Sequence, residues 1–450
     1  MKTTHALILT AGILAFLALP ASGQEVLSDN NIVAGARALG MGGAQIGAVN
    51  DITATIHNPA ALTRIDMLHA QLGLAMVPRD ITTRLSSPTA TGRGSYEDRS
   101  VSVGSIGVAY PVPTDRGSLV FAFAVNRVKD FTGTFRMSGY DEQAFEQDGD
   151  VWAGDFTNET VEDGGVDIVS FAGAVDVSPQ VSVGLSLDIW TGSYSLDKRI
   201  LRNNSTDQIS WLDLNGGEDD FTGWSLKPSV LYFTDDFRLG AYLRLPMTFH
   251  IEQDNYEELY SANDGYFFQI HERIDSFISD NYSDYRDYWG ASYRIKAPME
   301  LGVGVALGEP GRRCVAFDLV YESWKDAEIK GDNDPYYFRD KYENTLNWAF
   351  GAEHALPLFD SVVRVGYRHE PAKFNGPRTS GGPSIEVMDD RDYLSLGFGV
   401  RFDDYFRFDA GYARGFFKQE EGSRTDEETL HRIYAAVTYT MPVAGGAMWR

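Results

Sequence analysis

The chain has 450 residues, and its 64 acidic and 39 basic side chains leave a formal net charge of -25; so acidic a chain argues against nucleic acid as a partner. A single cysteine, Cys314, excludes an intramolecular disulfide framework and a cysteine-rich metal site. Aromatic residues at 13% and 45 glycines favour strands and tight turns over helices.

In chain order, residues 1–23 place Lys2 before an apolar run from Ala6 to Leu19, followed by small residues at Ala21 and Gly23. This pattern predicts a signal peptide cleaved before Gln24, too short to span a bilayer well. No later stretch is apolar enough for a transmembrane helix, so export to periplasm, outer membrane or medium is expected. Next comes "ALGMGGAQIGAVNDITATIHNPAAL" (38–62). A phosphate-cradling loop would need a strand, a long helix and a nearby lysine, and neither flank supplies them. Asn58 and Pro59 suit an N-cap and a first helical position ahead of Ala60 and the turn "AALTRI". Gly40, Gly42 and Gly43 permit positive φ and close backbone contact. The segment 24–67 is too short for a core of its own. It reads as a hatch for something larger, with a capped turn packed beneath a barrel as the alternative.

From Leu68 to Met441 the apolar residues recur with period two. In "VSVGLSLDI" (181–189) Val181, Val183, Leu185, Leu187 and Ile189 share one face, against Ser182, Gly184, Ser186 and Asp188. The segments starting at Met299 and Leu394 split the same way. In "VSVGSIGVAY" the phase slips at Ser105, which predicts a bulge. About 14 strands are expected from this pattern, joined alternately by short turns and long connections. The long connections fall at about 77–99, 132–163, 197–222, 251–292, 325–343, 372–390 and 416–428. That alternation fits an up-and-down outer-membrane barrel, and closure follows because an open sheet edge in lipid leaves backbone groups unpaired.

The expected fold is therefore all-β: a 14-stranded antiparallel transmembrane β-barrel over 68–441, a hatch over 24–67 inside the lumen, and a tail at 442–450. A soluble secreted β protein is the alternative. Phe131, Trp190, Trp324, Tyr405 and Phe406 sit near predicted strand ends, where interfacial girdles occur. Leu187→Arg should place charge in lipid, whereas Ser186→Arg should be tolerated.

The sequence then resembles a known family. "GARALGMGGAQIGAVNDITATIHNPAAL" is similar to the N-terminal hatch of the FadL family of outer-membrane transport proteins, with Asn58, Pro59 and Ala60 on its Asn-Pro-Ala motif. The resemblance implies a 14-stranded barrel for passive uptake of hydrophobic small molecules, long-chain fatty acids or aromatic and alkane hydrocarbons. Ligand would adsorb to outer loops, reach a pocket above the hatch, and leave sideways through the wall when the hatch moves. It also implies outer-membrane lipid and lipopolysaccharide as surroundings and the outer-membrane assembly machinery as a partner. The C-terminus departs from the usual closing aromatic, with Met441 or the displaced Trp449 in its place. A secretion-associated or structural barrel and a porin for small hydrophilic solutes are the competing functions.

Candidate ligand contacts are the loop residues Tyr256, Tyr260, Tyr266, Phe267, Phe268, Phe277 and Ile278, with Arg364, Arg368 and Arg401 as possible carboxylate holders. Lumen cations such as Lys227, Arg238, Arg244 and Arg407 face acids such as Asp188, Glu300, Asp318, Glu353 and Asp409, and a bracing charge ladder is the plainer role for all of them. No metal-like histidine spacing or nucleophile elbow occurs, so no catalysis and no cofactor are expected. The acid pairs Asp148 with Asp150 and Asp332 with Asp334 lack the spacing of a calcium loop.

Overall fold

The computed structural model describes residues 32–443 apart from 99, 148–149, 205–208, 263–284, 331–335, 338–341, 357–359, 374–386 and 422. The signal peptide, Trp449, Tyr266, Phe267, Phe268, Phe277, Ile278, Asp148, Asp332 and Asp334 lie outside the described residues.

Fourteen strands form one closed antiparallel ring. They are β1 (Leu68–Met76), β2 (Val101–Val112), β3 (Leu119–Asp130), β4 (Asp150–Ser178), β5 (Val181–Asn204), β6 (Ile209–Phe233) and β7 (Phe237–Arg244). The second half comprises β8 (Glu300–Glu309), β9 (Arg313–Glu322), β10 (Thr345–Leu356), β11 (Ser361–Glu370), β12 (Arg391–Arg401), β13 (Phe406–Glu421) and β14 (Arg424–Met441). Each pairs with its sequence neighbour in this order, and β14 returns to β1 from Leu68↔Met441 to Met76↔Ile433.

The alternation sorts as read from sequence. Val183, Leu185, Leu187 and Ile189 expose 38–50% of their surface, while Ser182, Ser186 and Asp188 are fully buried inside. With no aqueous medium to satisfy backbone groups at that depth, the ladder between neighbouring strands supplies their partners and leaves apolar side chains to meet lipid. The expected tolerance of Ser186→Arg is corrected, because Ser186 is sealed in a filled lumen, its hydroxyl donating to Asp188 Oδ1 at 2.5 Å.

The long connections are not mostly loops. β4, β5 and β6 run for 29, 24 and 25 residues, against the roughly 9–11 that cross a bilayer, so the wall continues into the water outside. Arg79–Ser86 and Ala90–Glu97 form a hairpin between β14 and Gly133–Gln147, which in turn pairs with β4. Thr248–Ala262 and Tyr285–Lys296 extend the wall beside β6. Above the lipid the outer face is free to carry polar residues, so the greasy alternation fades while the backbone ladder goes on.

The girdle assignment divides. Tyr405 and Phe406 are exposed beside Tyr439 at the short-turn end, with ring centroids 6.4 and 5.1 Å away. Phe131, Trp190 and Trp324 are instead buried. Trp190 follows the lipid-facing Ile189, so period two turns it inward, and Trp324 sits on a 3-10 turn (Trp324–Asp326) that tucks it inside.

The bulge at Ser105 is present. The β1–β2 register slips between Gly73 and Leu74, opposite Ser105 and Val103. Beyond it β2 and β3 part: their ladder covers only Ser105–Val112 and Leu119–Asn126, leaving residues 101–104 and 127–130 unpaired with one another among the described residues. A seam thus opens in the wall. The N–H of Ile32 reaches it, donating to the Val128 carbonyl at 2.8 Å.

Candidate functional site

Residues 32–66 cross the lumen from wall to wall. A short helix α1 (Ala36–Gly40) rests on β11–β14, and a 3-10 turn (Pro59–Arg64) rests on β3–β6 across the ring, with α2 (Ala54–His57) between them. So close an approach of backbone to backbone needs missing side chains on both partners. A Cβ on Gly397 would come within 2.8 Å of the Gly40 Cα, and one on Gly351 within 2.5 Å of the Met41 carbonyl oxygen. The small inward face of the strands is therefore the seat of the segment. Gly42 and Gly43 turn the chain with φ of 64° and 89°, a region glycine enters without strain.

Polar contacts fix the seat. Arg37, almost fully buried, grips Glu353 with Nη2 to Oε1 at 2.7 Å and Nε to Oε2 at 3.2 Å. Its Nη1 donates to Gln45 Oε1 at 2.7 Å and the Ala48 carbonyl at 3.0 Å. Glu353 also receives Arg364 Nε at 3.2 Å, and Arg364 bridges to Asp409 at 2.9 Å. On β9, Asp318 Oδ2 accepts the N–H groups of Gln45 and Ile46 at 2.6 and 2.8 Å. Asn58 caps the 3-10 turn through its Oδ1 to the Ala60 N–H at 3.2 Å, and its Nδ2 donates to the Ile46 carbonyl at 2.8 Å. Lys227 pairs with Asp188 at 3.2 Å and donates to the Ile56 carbonyl at 2.8 Å. His57 Nε2 lies 2.9 Å from the Ala34 carbonyl, and burial pushes its imidazole pKa down to about 4.

Above this segment is a cavity of about 210 Å³. Its floor includes Val33, Ala34, Ile46, Ile56 and His57; its walls include Ile168, Trp190, Met247, Phe249 and Trp324. Trp190 meets Phe249 edge to face at 5.8 Å. Three of the cavity's cations are engaged in shown contacts: Arg244 pairs with Glu300 at 2.8 Å and lies 5.2 Å from the Trp190 ring, Lys373 stands 3.9 Å over Trp324, and Arg368 pairs with Glu370; Lys129 also lines the space.

Of the residues singled out in sequence, Gly40, Gly42, Gly43, Asn58, Pro59 and Ala60 all belong to the lumen segment, and Arg368 reaches the cavity. Arg364 lies in the Arg37–Glu353 network. Arg401 is at the short-turn end, 60% exposed and 3.8 Å from Asp360. Tyr256 and Tyr260 stand on the external strand Thr248–Ala262, donating to Asp197 and Glu258 at 2.6 Å each. Sequence reasoning missed Arg37, Met247 and Phe249, and placed Trp190 in the interfacial girdle rather than in the cavity. Trp190 could have been found from its phase; Arg37 gives no signal, because its partner is 316 residues away.

Comparison with known proteins adds a family and a fold. The family model described as "Outer membrane protein transport protein (OMPP1/FadL/TodX)" matches residues 14–447. No curated protein matches the chain in sequence. Among solved structures, a FadL homologue of Pseudomonas aeruginosa superposes with a TM-score of 0.54 at 17% identity, covering 90% of this chain and 98% of its own. The Pseudomonas putida toluene transporter TodX gives 0.54 at 17%, covering 90% and 97%. The monoaromatic hydrocarbon channel CymD gives 0.51 at 18%, covering 91% and 98%. At these identities the likeness shows a shared fold.

Proposed function

The chain belongs to the outer membrane protein transport protein family (OMPP1/FadL/TodX), and we propose that it passively admits compact, uncharged hydrophobic molecules through the cavity above residues 32–66. The observation that carries this reading is the cavity itself, walled by Trp190, Phe249, Met247 and Ile168 and floored by the lumen segment. A space of roughly 150 Å³ already accepts benzene, so by size alone about 210 Å³ suits a single ring or a short branched chain. Each buried CH₂ contributes about 0.8 kcal/mol, which makes a polar handle unnecessary. The pairing of Arg244 with Glu300 and of Arg368 with Glu370 favours a neutral ligand over a carboxylate.

In this reading residues 32–66 act as the hatch. Ligand from the outside settles on Ile46, Ile56 and His57, and displacement of the segment near Ile32 frees the seam between β2 and β3 toward the membrane. No step of this path calls for catalysis. Equilibrium titration of the detergent-solubilised chain with toluene and with oleate tests it. Saturable toluene binding that Phe249→Ala weakens about 10-fold supports the reading, a loss of the order expected for a buried aromatic contact. Tight oleate binding without toluene binding would overturn the choice of a neutral ligand.

A further inference from the structure

Outside the membrane, Arg79–Ser86, Ala90–Glu97, Gly133–Gln147 and β4 lie side by side in one sheet. Ile81, Leu85, Tyr96, Phe135, Met137 and Phe156 cluster on one face of it. The intervening residues, among them Arg84, Arg93, Ser138 and Tyr140, therefore occupy the opposite, outward face. In the ladder Arg84 stands directly opposite Arg93, and Arg93 opposite Ser138; in the next row are Ser86, Thr91, Tyr140 and Asp155. Both rows line one shallow concavity.

Like charges directly opposite each other on adjacent strands repel. Both arginines are exposed, and neither forms an ion pair with a described residue. On a chain with a net charge of -25, two adjacent arginines without a carboxylate partner are a local exception. A phosphate between them would turn repulsion into two forked, charge-assisted contacts, the geometry guanidinium groups favour. The surrounding hydroxyls of Ser86, Thr91, Ser138 and Tyr140 suit a sugar better than an acyl chain. Height agrees. Arg84 stands about 25 Å along the strand direction beyond Met76, which leaves it well above the apolar band even after strand tilt.

We propose that this concavity binds a phosphorylated saccharide of lipopolysaccharide, with Arg84 and Arg93 sharing the phosphate and Asp155 confining it to their row. The site would anchor the external wall in the outer leaflet and is independent of the cavity in the lumen. Its test uses the full chain in detergent, titrated with purified lipopolysaccharide and with the same material after dephosphorylation. The Arg84→Gln/Arg93→Gln variant should bind intact lipopolysaccharide about 10-fold more weakly, as expected for losing charged hydrogen bonds. Dephosphorylation should bring wild type down to the same level, and millimolar inorganic phosphate should not displace the lipid. Arg84→Lys/Arg93→Lys, which keeps charge but loses the fork, should fall between and serves as the readout if the glutamine pair fails to fold. Equal binding by wild type and variants, indifference to dephosphorylation, or full displacement by inorganic phosphate, meaning an adventitious ion only, would each overturn the proposal.

Discussion

The lower and upper halves of the lumen are built from the same strands and solve opposite problems. Following β5 upward, the inward residues run Ser182, Gly184, Ser186, Asp188 and then Trp190, Tyr194 and Leu196. Low in the barrel the inward side chains are small or charged, and another piece of backbone fills the space: Gly351 and Gly397 admit Met41 and Gly40, while Glu353 and Asp318 hold Arg37, Gln45 and Ile46. Higher up, large side chains such as Trp190, Phe249 and Trp324 stand beside charged ones such as Arg244 and Glu300 and enclose a cavity. Lipid dictates only the outward residues; the size of the inward ones decides whether the lumen is filled by backbone or left as a cavity.

This contrast can be broken from below. Arg37→Ala would strand Glu353 with one fewer buried partner, and loss of a buried ion pair typically costs about 3–5 kcal/mol. The expected outcome is frequent channel opening in planar bilayers with the barrel intact, and adding Glu353→Gln should restore part of the closure. Next in size, Leu187→Arg should destabilise the barrel by about 2–4 kcal/mol in vesicle-folding titrations, as a charge in lipid. Ser186→Arg should also be damaging, through displacement of what fills the lumen, and should raise conductance where Leu187→Arg does not.

Smaller effects sharpen the distinction. Gly351→Ala pushes a methyl against the Met41 backbone, and overpacking of this kind costs about 1–3 kcal/mol; protease access to residues 32–66 should rise, with ligand affinity little changed. Trp190→Ala should do the reverse, weakening ligand binding several-fold while leaving the segment protected. Last is a pH effect. His57 is held neutral by burial, with its pKa pushed from 6.5 to about 4. A displaced segment takes up the proton first, so the contribution of His57 to closure is complete above pH 6.5, weakens as pH falls toward 4, and levels off below. The difference in conductance between wild type and His57→Gln across that range reads this contribution.

Much of the barrel was legible because lipid enforces one rule along each crossing: the outward face is apolar, as at Val183 to Ile189. The segment that fills the lumen was legible in Gly40, Gly42, Gly43 and Asn58, whose backbone roles leave composition traces. The external strands were hidden because water relaxes the rule that made the others visible. The cavity was hidden for another reason. Trp190, Met247 and Phe249 come from separate strands and strand breaks, and only closure of the ring brings them together. Arg37 was hidden in the same way, its meaning lying in Glu353 across the lumen.

The most direct test is single-channel conductance of the full chain against a variant lacking residues 32–66, both confirmed as folded barrels by heat-modifiable electrophoretic mobility. A near-silent intact chain and a large, steady pore after deletion are expected if this segment occupies the lumen. Equal conductance from the two proteins would contradict it.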